Sequence, residues 1–221
     1  HSYDNRINKG THKGAYSAQA MMRSVGEKGY YMQCDVSSYF TSIDKNTLIG
    51  VLKFHIDNLN ISDSDKDFMY YIFTKIIFQN PELNHIKTGD VSLEKCIPEH
   101  KKLGSNGIDV GLPIGAYSSQ FESMIYMNEA DYFCKHELKI KNYIRYVDDL
   151  VIFEKDSKLF SYYYEAINSF LKERLKLELK SVKTKIQPFQ KGLDFLGYVI
   201  YPHHINIRKR NGSLEPLNIE N

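Results

Sequence analysis

The sequence predicts an α+β fold in which antiparallel strands form a sheet and helices pack on one face of it. Helical and strand-like periodicities alternate irregularly, and two β-prone runs, 143–146 and 150–153, are separated by only three residues. That spacing is typical of a tight hairpin, which joins antiparallel strands. With 221 residues, 42% of them hydrophobic, the chain is long enough to bury a sizeable core.

Apolar residues recur at helical spacing in five segments, and Ser62 with Asp65 forms a capping pair at the start of one of them. Besides the hairpin, strands are predicted at 30–36 and 195–201, with short strand-like pieces between 177 and 186. No repeat or biased linker divides the chain, so one compact unit is expected. The predicted helices are 11–25, 45–55, 62–78, 118–136 and 157–175.

The composition excludes several classes of protein. Gly and Pro contents are ordinary, and Cys34, Cys96 and Cys134 are too scattered for a disulfide framework or a zinc site. Unpaired cysteines favour a reducing compartment, so a cytoplasmic location is expected. No apolar run approaches the ~18 residues of a membrane span, and no membrane partner is expected. The net charge of +2 argues neither for nor against a nucleic-acid partner, but basic residues cluster in 1–28 and 183–210.

Three aspartates stand where predicted strands end. Asp35 closes the first strand, and Asp148 and Asp149 lie in the turn of the hairpin. Taken alone, each is explained as well by a solvated turn or a helix cap. Adjacent carboxylates repel unless solvent or a cation compensates them, and Mg²⁺ prefers hard oxygen ligands. We therefore expect the three carboxylates to converge on a pocket that supports two-metal phosphoryl transfer.

Five motifs in a fixed order resemble the palm motifs of reverse transcriptases, and the match covers nearly the whole chain. Within it, Gly-x-x-x-Ser-Gln at 115–120 and the segment 6–13 are closest in pattern to diversity-generating retroelement reverse transcriptases. Phage-defence reverse transcriptases share much of the pattern. The motifs are Asp35 with Phe40, the segment 111–120, Tyr146-Val147-Asp148-Asp149, Lys183-Thr184 and Phe195-Leu196-Gly197-Tyr198.

The resemblance implies a right-hand polymerase palm with part of the fingers over residues 1–221, and upstream fingers and a downstream thumb that lie largely outside this chain. It implies that Asp35, Asp148 and Asp149 are catalytic and bind two Mg²⁺ ions, with Mn²⁺ able to replace them. The backbone carbonyl of Val36 is implied as a further metal ligand.

The resemblance also implies a set of nucleotide-binding residues. Phe40 matches a steric gate, where an aromatic ring excludes a 2′-hydroxyl, although a core aromatic is the alternative. Pro113, Ile114 and Gly115 match the loop that borders the incoming base, and many relatives have Gln in place of Ile114. Lys183 matches a lysine that neutralises or protonates the leaving pyrophosphate, although most lysines simply face water.

A last set is expected to contact template and primer. Gln120 would begin the helix under the template, unless it is a capping or surface amide, and the segment 195–198 resembles the hairpin that grips the primer end. The cations Arg208, Lys209 and Arg210 favour phosphate contact, and the basic segment near the start favours template contact. The template- or primer-binding candidates are Arg6, Lys9, His12, Lys13, Gln120, Phe195, Leu196, Gly197 and Tyr198.

The function expected from these residues is that of a retroelement-type RNA-directed DNA polymerase. It would extend a DNA or RNA primer with dNTPs on an RNA template, with an accessory protein or a second copy of the chain as a further partner. Two alternatives stay open at this point. One is a phage-defence reverse transcriptase with unusual or template-independent DNA synthesis, and the other is a non-catalytic nucleic-acid-binding scaffold.

Overall fold

The computed structural model describes residues 2–81, 83, 86, 88–98, 102, 105–107, 109–208 and 214–216. Helices and antiparallel strands alternate irregularly in it, so the predicted α+β class is confirmed. The chain forms two compact units, where the sequence predicted one. The first unit comprises His1–Asp35, Ala130–Asn168 and Leu179–Asn221, and the second comprises Val36–Glu129 and Ser169–Glu178.

The helices follow the predicted segments, with one addition. The short α2 was not predicted, and the predicted helix 118–136 changes at its end into a π-helix, Phe133–Glu137. Ser62 caps α4 as expected, because its hydroxyl accepts a hydrogen bond from the backbone N–H of Asp65. Within the described residues the α-helices are α1 (Thr11–Val25), α2 (Tyr39–Ser42), α3 (Lys45–Asp57), α4 (Asp63–Ile77), α5 (Tyr117–Tyr132) and α6 (Leu159–Leu175).

The strands form two four-stranded antiparallel sheets, and both belong to the first unit. The first sheet has the order β2-β3-β1-β4, and the second follows the chain from β5 to β8. In chain order the strands are β1 (Tyr30–Asp35), β2 (Tyr143–Tyr146), β3 (Asp149–Glu154), β4 (Lys185–Pro188), β5 (Leu193–Phe195), β6 (Tyr198–Ile200), β7 (Ile205–Arg208) and β8 (Leu214–Pro216).

The prediction of one continuous strand over 195–201 is wrong. The chain turns back at Leu196 and Gly197, whose φ angles of 58° and 85° lie in the left-handed region. β5 and β6 are consequently the two arms of a hairpin, with Phe195 opposite Tyr198. A hairpin is the form that the resemblance implied for this segment.

The register of the first sheet determines which polar residues meet at its edge. β1 runs antiparallel to β3 with Asp35 opposite Asp149, and it runs antiparallel to β4 with Gln33 opposite Lys185. The end of β1, the turn between β2 and β3, and the start of β4 therefore lie at one edge. The strands place the predicted carboxylates together because of this register.

The apolar core of the first unit lies between α1 and the strands. Ala15, Ala18 and Met22 of α1 are buried, and they belong to one cluster with residues of β2 and β3 such as Ile144 and Phe153. Helical spacing puts the three α1 residues on one face, as the sequence predicted. This packing fixes α1 against the sheet that carries the carboxylates.

Cys34, Cys96 and Cys134 are free, as their spacing predicted. Over the residues that the structure describes, no helix combines the length and the apolar character that crossing a bilayer requires. The cytoplasmic location stays a prediction.

A buried carboxyl group distinguishes the second unit. Glu122 of α5 is 2% exposed, and among the described residues its Oε1 has no hydrogen-bond partner. Burial raises the pKa of Glu122 to about 7, against the opposing effect of the Lys45 charge. The hydroxyl of Ser119, one turn earlier, is buried and unpaired in the same way.

We predict that Glu122 makes the stability of the chain depend on pH. The folded chain holds this proton more tightly than the unfolded chain, so the free energy of unfolding falls as pH rises from 4.5 through about 7. The fall amounts to about 3 kcal/mol. Glu122→Gln should remove this contribution, which urea unfolding at pH 5 and pH 8 measures. The exposed Glu165→Gln is the matched control, and an equal pH dependence in Glu122→Gln and the parent chain would contradict the prediction.

Candidate active site

A cavity of about 740 Å³ opens in the first unit, at the edge of the first sheet and beside the β5–β6 hairpin. Asp35, Asp148 and Asp149 all line it. The predicted convergence of three carboxylates from strands distant in sequence is thus present in the fold. The lining also includes Lys183, Lys185, Asp194 and Arg208, together with Phe195, Leu196 and Gly197 of the hairpin.

The three carboxyl groups are held by β1 and by the turn between β2 and β3. Asp35 is the last residue of β1 and pairs in register with Asp149, the first residue of β3. Asp148 lies in the turn and lines the same cavity, and the nearby Asp35 carboxylate adds to the effect of burial in raising its pKa. The two acids therefore affect each other's ionisation, although Asp35 and Asp148 are 113 positions apart in the sequence.

The turn that carries Asp148 has an uncommon backbone conformation. Val147 has a φ of 53°, and a β-branched residue in this left-handed region is strained by roughly 1–3 kcal/mol. The guanidinium of Arg145 donates a hydrogen bond of 2.7 Å from its Nη1 to the carbonyl oxygen of Val147. A buried side chain thus holds the strained turn from below.

Arg145 is the centre of a buried charged network. Its side chain is 1% exposed, and it donates from Nε and Nη2 to the two carboxylate oxygens of Asp131, at 2.8 Å each. Tyr143 donates to the same carboxylate, and Asp4 lies 3.7 Å from Arg145 Nη1. Paired acids around a guanidinium compensate for its desolvation, and they hold its pKa above the ordinary value despite burial.

The acids of the cavity differ in how strongly they hold protons. Burial raises the pKa of Asp148 to about 7, and the neighbouring Asp35 adds to that effect. Burial and the Asp35 charge raise the pKa of Asp149 to about 6. Burial also acts on Asp35, but hydrogen bonds from Lys180 and Lys183 outweigh it and leave the pKa below its ordinary value.

The chemistry of this donor set fits a hard divalent cation. Three carboxylates share the cavity, and the raised pKa values of two of them reflect burial and a repulsion that a divalent cation would relieve. In the observed side-chain conformations, the described residues contain no group of three His, Cys, Asp or Glu side chains arranged to hold a metal ion. The ammonium groups of Lys180 and Lys183 contact Asp35 Oδ2 instead, at 2.8 and 2.9 Å.

Lys180 was missed by the sequence analysis. It immediately precedes the 3₁₀ turn Ser181–Lys183, in which three residues complete one turn, so the side chains of Lys180 and Lys183 point the same way. The spacing of the two lysines was visible, but the 3₁₀ turn was not. The strand-like pieces predicted between 177 and 186 reduce to β4, which begins at Lys185.

The β5–β6 hairpin presents its turn to the cavity. Leu196 and Gly197 line the cavity, whereas the Tyr198 hydroxyl shares a hydrogen bond of 2.5 Å with His12 Nδ1 of α1. The guanidinium of Arg208 donates to both carboxylate oxygens of Asp194, at 2.8 and 2.9 Å. Lys209 and Arg210 lie outside the described residues.

The basic side chains before β1, Arg6, Lys9, His12 and Lys13, do not belong to the cavity lining. Arg6 and Lys13 are exposed, and Lys9 Nζ lies 4.4 Å from the centre of the Tyr3 ring, a cation–π contact. Among the described residues, Thr11 is the member of this region that lines the cavity. The template contacts expected of Arg6, Lys9, His12 and Lys13 stay predictions.

The remaining candidates belong to the second unit. The backbone N–H of Leu112 donates to the Phe40 carbonyl at 2.7 Å, which joins the loop of Pro113, Ile114 and Gly115 to α2. Phe40 is half-buried, with its ring 5.2 Å from that of Tyr39 in an edge contact. Ile114 is 71% exposed. Val36 is buried, Gln120 lies in the first turn of α5, and their expected roles stay predictions.

An antiparallel sheet that gathers three carboxylates at one edge, with a lysine beside them, is the arrangement that the five motifs implied for the palm of a nucleotide-polymerising enzyme. The chain matches the family model "Reverse transcriptase (RNA-dependent DNA polymerase)" over residues 2–200. The chain therefore belongs to the reverse transcriptase family, whose members use divalent metal ions. The family expected from the five motifs is confirmed, and its diversity-generating or phage-defence subclass stays a prediction.

Known proteins support this assignment at low sequence identity. The chain is 22% identical over 238 aligned residues to the group II intron-encoded protein LtrA of Lactococcus lactis subsp. cremoris, an alignment covering 89% of this chain and 39% of LtrA. The chain thus spans about 39% of the length of that curated relative. LtrA of strain MG1363 matches equally.

Two solved telomerase structures have the same fold. The telomerase of Candida albicans, in complex with a fragment of telomeric RNA, superposes with a TM-score of 0.54 at 14% sequence identity. The superposition covers 93% of this chain and 34% of the telomerase chain. The apo telomerase of Candida tropicalis has a TM-score of 0.57 at 10% sequence identity, and the superposition covers 91% of this chain and 40% of the telomerase chain. The palm-and-fingers fold is therefore that of this chain too.

We predict that Arg145→Met destabilises the first unit by about 3–5 kcal/mol, because it leaves the Asp131 carboxylate buried without its partner. Urea unfolding monitored by circular dichroism measures the change. The exposed Arg174→Met on α6 is the matched control and should change stability by less than about 0.5 kcal/mol. An Arg145→Met chain as stable as the Arg174→Met chain would contradict a stabilising role for the buried network.

Proposed function

We propose that this chain carries the polymerase site of an RNA-directed DNA polymerase, which extends a DNA or RNA primer with dNTPs on an RNA template. The observation that carries the proposal is the cavity in which Asp35, Asp148 and Asp149 meet. Membership of the reverse transcriptase family supports the same chemistry.

The acids define where the chemistry would occur. Asp35, Asp148 and Asp149 would hold two Mg²⁺ ions, or Mn²⁺ ions, with the Val36 carbonyl proposed as a further ligand from the sequence resemblance. The bound ions would lower the pKa of the primer 3′-hydroxyl and neutralise the triphosphate. Lys183, whose side chain is 62% exposed at the cavity, would neutralise the charge of the leaving pyrophosphate or donate a proton to it.

The neighbouring backbone would orient the nucleic acid. Leu196 and Gly197 form a turn with left-handed φ angles at the cavity, so the backbone itself can approach a primer strand closely. Arg208 also lines the cavity and is kept in place by Asp194, which suits contact with a primer phosphate.

An RNA template is part of the proposal. The family description names RNA-dependent DNA synthesis, and the Candida albicans telomerase structure contains telomeric RNA. The retroelement-type subclass, an accessory protein and a second copy of the chain are further parts of the proposal that rest on the sequence motifs alone.

Primer extension tests the proposed activity. The full chain should extend a labelled DNA primer on a defined RNA template with dNTPs and Mg²⁺. Asp148→Asn and Asp149→Asn should each lower the rate at least about a hundredfold, because each removes a charged ligand from the metal site. The exposed Asp67→Asn on α4 is the matched control and should keep the parental rate.

Two outcomes would contradict the proposal. Product whose sequence ignores the template would indicate the template-independent synthesis of a defence-type enzyme. Nucleic-acid binding without any synthesis by the parent chain, under conditions that support a control reverse transcriptase, would indicate a scaffold.

We predict that Phe40→Ala relaxes the choice between deoxyribonucleotides and ribonucleotides. Removing the ring from the proposed steric gate makes room for a 2′-hydroxyl, so the dNTP-to-rNTP ratio of kcat/KM should fall roughly tenfold or more. Phe40→Tyr, which keeps the ring, is the control and should retain the discrimination. Equal ratios in the Ala and Tyr variants would leave Phe40 as a packing residue only.

A further inference from the structure

Two lysines contact the same oxygen of a proposed metal ligand. Lys180 Nζ lies 2.8 Å and Lys183 Nζ lies 2.9 Å from Asp35 Oδ2. The Asp35 side chain is 15% exposed and that of Lys180 is 30% exposed, so this contact is partly shielded from solvent. Ordinary salt bridges pair one cation with one carboxylate, and a second cation adds repulsion.

The backbone keeps both lysines at this position. The Lys180 N–H donates to the Asp35 carbonyl at 2.8 Å, which ties the residue to the end of β1. The Lys180 carbonyl in turn accepts from the N–H of Lys183 at 3.1 Å and from the hydroxyl of Thr184 at 3.1 Å. The pair of lysines is therefore a built feature of this turn.

The charge of the pair equals that of one divalent cation. Two ammonium groups bring two positive charges to a carboxylate that lies beside Asp148 and Asp149. Mg²⁺ or Mn²⁺ at Asp35 would bring the same charge to the same oxygen, and the ion and the ammonium groups would repel each other strongly at contact distance. Lysines and ion thus exclude each other at Asp35 Oδ2.

We propose that Lys180 and Lys183 take the place of a divalent ion at Asp35 in the metal-free chain and are displaced when the ion binds. The inference rests on the carboxylate metal site of the proposed function. It assigns a role to Lys180, which competes with the ion for Asp35. The displaced ammonium group of Lys183, which already lines the cavity, then becomes available to phosphate oxygens of the nucleotide.

Direct metal binding tests this exchange without any need for polymerase activity. Mn²⁺ binding to the full chain, without nucleotide, is measured by the loss of the free-ion electron paramagnetic resonance signal. Lys180→Met removes one competing charge and should tighten Mn²⁺ binding roughly tenfold. Lys183→Met should act in the same direction, and the double variant should bind more tightly than either.

Three variants control the experiment. Lys180→Arg keeps the charge and should bind Mn²⁺ like the parent chain. Lys185→Met removes a charge from the same cavity, but Lys185 makes no ion pair among the described residues, so its effect should be smaller than that of Lys180→Met. Asp35→Asn should weaken binding, which confirms that the measured ion is at this site.

The sign of the change separates the exchange from a supporting role. If Lys180 only holds Asp35 in position, Lys180→Met weakens Mn²⁺ binding, and unchanged or weaker binding in both single variants overturns the inference. Lys183 is 62% exposed, so Lys183→Met tests the exchange even where Lys180→Met fails to fold in thermal unfolding. Tighter Mn²⁺ binding by the variants in a chain that makes no DNA would uphold the exchange and refute the proposed function.

Discussion

One buried cation, Arg145, supports the geometry of the candidate site. Taking a guanidinium out of water is unfavourable, and here Asp131 and Asp4 compensate for it. With its Nε and Nη2 bound to Asp131, Arg145 still has Nη1 free to donate to the Val147 carbonyl. The hairpin turn therefore keeps a backbone conformation that a valine would otherwise avoid.

The register of β1 against β3 complements this support. Successive side chains in a strand point to opposite faces, so a slip of one residue would turn Asp149 away from Asp35. The buried residues of β1 and β3, such as Tyr31 and Val151, oppose such a slip because it would expose them to water. The carboxylate cluster is thus maintained by apolar packing away from the cavity and by the buried network below the turn.

Local patterns in the sequence were sufficient for most helices and for the first hairpin. Ser62 and Asp65 predicted the start of α4, and the two runs around Asp148 and Asp149 predicted the turn between β2 and β3. The motifs then indicated which acids belong together. Periodicity carries this information because it depends only on residues close in the chain.

The features that sequence analysis missed depend on backbone conformations or on partners distant in the chain. The left-handed turn at Leu196 and Gly197 interrupts an apolar run that reads as one strand, and a glycine alone is a weak signal of it. Lys180 acquires its contact only through the 3₁₀ turn that aligns it with Lys183. Glu122 looks like an ordinary helix residue until the surrounding fold buries it.

The hydrogen bond between His12 and Tyr198 has a mechanical consequence. It links the first turn of α1 to β6, alongside the apolar packing of Ala15, Ala18 and Met22 in one cluster with Phe195 and Tyr198. The start of α1 and the hairpin that lines the cavity therefore belong to one packed body. Removing the Tyr198 hydroxyl alone would leave the apolar part of this contact in place.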